Sequence, residues 1–72
     1  MSRLPILSGR AIVKALAKVG YVEVRQRGSH IRLGCPGKTS ITVPNHKTVG
    51  PGLLKKILRD AELTAEEFAK LL

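Results

Sequence analysis

The 72-residue chain reads as an α+β protein, a three-stranded antiparallel sheet with helices on one face in the order α-β-β-β-α-α. Three observations predict this. Apolar residues recur at helical spacing in two separated stretches, Ile12, Leu16 and Val19 early and Leu54, Ile57, Leu58 and Ala61 late. Between them lie short β-rich runs whose connections carry Gly28 and Pro36-Gly37. Finally, Tyr21 and Phe68 are the only aromatics in a chain that is 43% hydrophobic, so the core rests on Leu, Ile, Val and Ala, which suits helices layered on a small sheet.

Taken in order, Ser8 is placed as the N-cap of a helix over residues 9 to 19, and Gly20 is its stop signal. The third helical position is Ala11 rather than Glu or Gln, so this start has no capping box. Three strands follow, over 21 to 26, 30 to 33 and 40 to 43. Alternation sends Ile31, Leu33, Ile41 and Val43 to one face and His30, Arg32 and Thr42 to the other. The first face takes the helices and the second is open. A second helix begins near Pro51 after the loop through Gly50. Thr64-Ala65-Glu66-Glu67 then forms a capping box, with Leu63 and Phe68 spaced as a hydrophobic staple, opening a short third helix. No repeat or long linker interrupts the pattern, and residues 1–72 are expected to form a single domain.

The net charge of +8 implies an anionic partner, and its distribution sharpens the point. No acidic residue occurs between Glu23 and Asp60, whereas Arg25, Arg27, Arg32, Lys38, Lys47, Lys55, Lys56 and Arg59 fall in that interval. The lone Cys35 cannot staple the domain to itself, which favours a reducing compartment and a cytoplasmic location. No run is long enough for a membrane span, and the opening Met-Ser-Arg-Leu-Pro-Ile-Leu has too short an apolar stretch for a signal peptide, so no membrane partner is expected.

His30 is the chief candidate for chemistry. It starts the second strand after Gly28-Ser29, is flanked by Arg25, Arg27 and Arg32, and lies on the open face. Imidazole exchanges a proton near neutrality, so a histidine here could act as general base toward an RNA 2′-hydroxyl while arginines neutralise the phosphoryl oxygens, with no metal required. The same residues are also compatible with a strand histidine that only hydrogen-bonds phosphate. His46, in the loop after the third strand, is a weaker candidate for the acid that protonates the leaving oxygen. Lys47, Lys55 and Lys56 bracket the start of the second helix and could hold an RNA backbone there without reading its sequence, or could simply be solvated. His30, Cys35 and His46 do not match a structural zinc spacing, and the glycines match no nucleotide-binding loop, so no metal or cofactor is expected.

Several segments together resemble the HicA toxin family, the mRNA-cleaving half of bacterial and archaeal toxin–antitoxin pairs. They are Leu7-Ser8-Gly9, Lys18-Val19-Gly20-Tyr21, Arg25-Gln26-Arg27-Gly28-Ser29-His30 with Pro36 beyond it, Val43-Pro44-Asn45-His46, and Pro51 through Leu58 into Ala61-Glu62-Leu63-Thr64. The resemblance spans almost the whole chain. It implies a double-stranded-RNA-binding-like fold, metal-independent endoribonuclease activity on mRNA within a type II toxin–antitoxin system, and inhibition by a HicB-like antitoxin. It also implies that His30 is the catalytic histidine and that Gly28 and Ser29 shape its turn. Together with the charge pattern, Arg25, Arg27, Gly28, Ser29 and Arg32 are expected to contact RNA. Two readings from other classes stay open beside it: a non-catalytic RNA-binding module of the same fold, and a domain whose positive face serves chiefly to dock an acidic protein.

Overall fold

The computed structural model describes residues 6–72, and the opening stretch through Pro5, part of the segment read above as too short for a signal peptide, lies outside them. The elements are α1 (Gly9–Ala17), β1 (Val22–Arg27), β2 (His30–Gly34), β3 (Ile41–Pro44), α2 (Pro51–Asp60) and α3 (Ala65–Ala69). The three strands form one antiparallel sheet in the order β1-β2-β3, an α+β arrangement of the double-stranded-RNA-binding-like type.

α1 starts as the sequence suggests. The Ser8 hydroxyl accepts the Ala11 backbone N–H at 3.1 Å, satisfying one of the orphan donors of the first turn. Its end comes two residues before the expected Val19. Tyr21 N–H bonds the Leu16 carbonyl and Gly20 N–H the Ala17 carbonyl, with Gly20 at φ 102°, which is a Schellman closure. The chain therefore turns over residues 18 to 20, and β1 begins at Val22 rather than Tyr21. The Tyr21 side chain is buried and its hydroxyl donates to the Thr39 carbonyl at 3.0 Å. Burial pushes that hydroxyl's pKa up, with help from the nearby Cys35, Glu62 and Asp60.

The two hairpins use different turn chemistry. Between β1 and β2 the turn has only two residues, with Gly28 at φ 59° in the first central position, the arrangement of a type II′ hairpin. Between β2 and β3, Lys38 N–H returns to the Cys35 carbonyl at 3.0 Å around Pro36 and Gly37, whose φ is 78°, as a type II turn requires. Burial along the ladder then follows the expected alternation: Ile31, Leu33, Ile41 and Val43 are buried, and His30, Arg32 and Thr42 are exposed. Pro44 extends β3 by one residue and is also buried.

The helices cover the apolar face. Ile12, Ala15 and Leu16 of α1, Leu54, Ile57 and Leu58 of α2, and Phe68 of α3 join the four buried strand residues in one cluster, and Leu7 and Leu63 pack against its margin. Among the described residues no polar or charged side chain is buried. Thr64 and Glu67 form the expected capping box of α3 in both directions. No described helix is long and apolar enough to cross a membrane.

Candidate functional site

The open face of the sheet is set by pairing register. Directly opposed residues of an antiparallel ladder share a face. Arg25 lies opposite Arg32, and Arg27 opposite His30, so all four project from the exposed side. Strict alternation along β1 would have done the reverse. Glu23 opposes the buried Leu33, and continuing in twos from Glu23 would send Arg25 and Arg27 beneath the helices. A bulge between Glu23 and Arg25 inserts Val24 as an extra residue and turns the arginines outward. Arg25, Arg27, His30, Arg32 and Thr42 then line a shallow depression of about 160 Å³.

Its electrostatics are one-sided. Among the described residues no carboxylate pairs with Arg25, Arg27 or Arg32; the two ion pairs are Arg10 with Glu23 and Lys56 with Asp60. Arg32 is steadied by a 3.0 Å hydrogen bond from its Nη1 to the Thr42 hydroxyl, directly across the ladder from it. Two arginines opposed across a ladder repel one another and cost the fold a fraction of a kcal/mol, a cost that an anion between them would remove. The depression is thus a concentration of positive charge with one imidazole among its lining residues.

The hairpin tip that carries His30 is tied on both sides. The Ser29 carbonyl accepts the Asn45 N–H at 2.6 Å, and the Gly28 carbonyl accepts Gln26 Nε2 at 3.0 Å. Adding a side chain at Gly28 would meet nothing within 4 Å, so glycine stands there for its backbone conformation alone. Gly9 is different. It is buried, its N–H donates to the His46 carbonyl at 2.9 Å, and a Cβ there would collide with the Pro44 carbonyl. The start of α1 therefore sits directly against the end of β3, and a further bond from Val49 N–H to the Leu7 carbonyl at 2.7 Å closes the loop onto the chain before α1.

The structure brings together His30, Arg25, Arg27 and Arg32, with Gly28 and Ser29 forming the turn beside them. It does not bring His46, Lys47, Lys55 or Lys56 into the depression. His46 and Lys47 are exposed in the loop after β3, Lys55 is exposed on α2, and Lys56 lies 3.5 Å from Asp60 one turn along the same helix. Residues not singled out from sequence are Thr42 as the partner of Arg32, Gly9, and Arg10 with Gln26. Thr42 was readable as an outward neighbour of Arg32 once the Pro36-Gly37 turn is granted. The others depend on contacts far apart in the chain, for which the sequence carries no local signal.

No curated protein matches the chain. A family model described as the HicA toxin of bacterial toxin–antitoxin systems matches residues 9–63, a span that begins at the buried Gly9, takes in the whole sheet with its arginine-lined depression, and ends past α2. With that coverage and the segments from Lys18 to Tyr21 and Arg25 to His30 in their places, the chain belongs to the HicA toxin family.

Proposed function

We propose that this protein is a metal-independent endoribonuclease that cuts mRNA at the depression formed by Arg25, Arg27, His30 and Arg32, acting in the cytoplasm under the control of a HicB-like antitoxin in a type II toxin–antitoxin pair. The observation that carries the reading is the meeting of one imidazole with three guanidinium groups in a depression without a carboxylate. In the reaction, His30 accepts the proton of a ribose 2′-hydroxyl. The 2′-oxygen forms a bond to the adjacent phosphorus as the bond from phosphorus to the 5′-oxygen breaks, leaving a 2′,3′-cyclic phosphate and a 5′-hydroxyl end. The proton returns from the imidazolium, directly or through water, to the departing 5′-oxygen.

Arg25, Arg27 and Arg32 neutralise the charge that grows on the phosphoryl oxygens, the part that a divalent cation plays in other nucleases. A cation would meet like charge here, and no group of three or more His, Cys, Asp or Glu side chains among the described residues is placed to hold one. The test compares RNA cleavage by the wild type and His30→Ala, each in excess EDTA. The expected result is cleavage that survives chelation and falls by about 10²- to 10⁴-fold in the variant, the usual range for loss of a general acid–base group. Equal cleavage by both proteins, or loss on chelation alone, overturns the mechanism.

One observation favours a second reading. His30 is the one imidazole that lines the depression, with no second imidazole and no carboxyl beside it in the lining. A module that grips RNA without cutting it needs nothing more. That reading expects salt-sensitive binding, no cleavage products, and little penalty for His30→Ala.

A further inference from the structure

We propose that Gln26 is a positioning residue for His30, holding the hairpin tip through its side-chain amide and being held in turn by Arg10 of α1. The inference rests on the functional reading above and deepens it. Gln26 opposes the buried Ile31 across the ladder, so it faces the helices, away from the depression. From there its Nε2 donates to the Gly28 carbonyl at 3.0 Å, and its Oε1 accepts Arg10 Nη2 at 2.9 Å. The other terminal nitrogen of Arg10 donates to Glu23 at 2.9 Å. One guanidinium thus spans two acceptors on β1 and fixes which way the Gln26 amide points, oxygen toward Arg10 and nitrogen toward the turn.

The turn has two residues, Gly28 and Ser29, and both carbonyls are taken by donors from outside it. Asn45 supplies its backbone N–H to Ser29, and Gln26 supplies its side chain to Gly28. His30 is the next residue. Its ring can meet a 2′-hydroxyl reproducibly only if the backbone before it is fixed, because small displacements of a catalytic group are costly in rate. Glycine at φ 59° leaves that backbone unusually free, so an outside bond to its own carbonyl matters more here than at a stiffer residue. Gln26 itself does not line the depression, and its contribution is to the rate of cutting rather than to grip.

The experiment uses the full chain and Gln26→Met, which keeps length but neither donates nor accepts as an amide does. In the wild type, ¹⁵N relaxation order parameters at Gly28, Ser29 and His30 are expected near those of rigid backbone, about 0.85, and in the variant they fall toward about 0.6. At saturating RNA the cleavage rate falls about 5-fold while KM is unchanged, as for the loss of one neutral hydrogen bond that acts through geometry. Arg10→Met gives a smaller loss of the same sign, and the double variant is no slower than Gln26→Met alone.

Additive losses overturn the role of Arg10. A wild-type rate in Gln26→Met, or a tip as ordered as in the wild type, overturns the inference. Should Gln26→Met not fold, Gln26→Glu tests the same bond, since it keeps the acceptor for Arg10 and removes the donor to Gly28. A wild type that cuts no RNA overturns the functional reading instead, and the relaxation data then decide by themselves whether Gln26 orders the tip.

Discussion

Gly9 offers no chemistry of its own, yet the site depends on it. Its missing side chain lets α1 rest against Pro44 and Asn45, and Asn45 is the residue whose N–H holds the Ser29 carbonyl. Gly9→Ala gains helix propensity but forces a Cβ into backbone that cannot swing aside. The overpacking is expected to cost about 1–3 kcal/mol net of other effects, which lowers the melting temperature of a domain this size by several degrees or more. Thermal denaturation followed by circular dichroism checks it, and an unchanged midpoint would show that α1 can stand off from β3. From sequence, Gly9 looked like the ordinary start of a helix, because the collision that requires it involves residues 35 positions away. His30, Arg32 and Thr42 could be placed on one face by counting in twos. Arg25 and Arg27 could not, since the bulge that turns them outward depends on how β1 aligns with β2 and leaves no mark in β1 alone.

Among the elements, the short α3 shows most directly how a local pattern becomes stability. The Glu67 carboxyl is held below its ordinary value of 4.5, first because it accepts the Thr64 backbone N–H and then through the Thr64 hydroxyl. A carboxyl whose folded pKa lies below its unfolded one contributes stability that is present above the unfolded value and is lost as pH falls through the folded one. Glu67→Gln is therefore expected to melt below the wild type at pH 7, with the gap closing as the pH falls below about 4.5. A gap that persists in acid would mean that the charge of Glu67 does not strengthen the box. This box was legible in Thr64-Ala65-Glu66-Glu67 because all its bonds are local. The ends of the other helices were less so. α1 stops at Ala17 through bonds that reach to Gly20 and Tyr21, and α2 closes in the same way around Glu62, a non-glycine residue held at φ 60°. Nothing about glutamate announces a left-handed turn, so the sequence pattern marks such a boundary only to within a few residues.

For the whole molecule, charge sets the terms. Thirteen Lys and Arg against five Asp and Glu leave a field that opposes compaction, and within the described residues only two of the cations pair with a carboxylate in the ion pairs named above. Raising sodium chloride from about 10 to about 150 mM shortens the screening length from about 30 to about 8 Å, so the melting temperature is expected to rise over that range. A fall would mean that the exposed pairs of Arg10 with Glu23 and Lys56 with Asp60 outweigh the repulsion, against their usual small worth. The basic interval between Glu23 and Asp60 was visible in the sequence, but its subdivision was not. Arg25, Arg27 and Arg32 converge in one depression, whereas Lys47, Lys55, Lys56 and Arg59 stay outside it, a separation made by the sheet and invisible to a count of charges.

The bulge in β1 has one more consequence, for solubility. β1 lies at an edge of the sheet and all six of its residues are exposed, Val22 at 59% and Val24 at 58%. A straight edge carrying two bare valines invites the same strand of another copy to zip alongside. Val24 is the surplus residue that breaks the even spacing of ladder bonds, and the two arginines beyond it repel their own kind. The irregularity that turns the arginines outward thus also makes this edge a poor template for filaments of the protein itself.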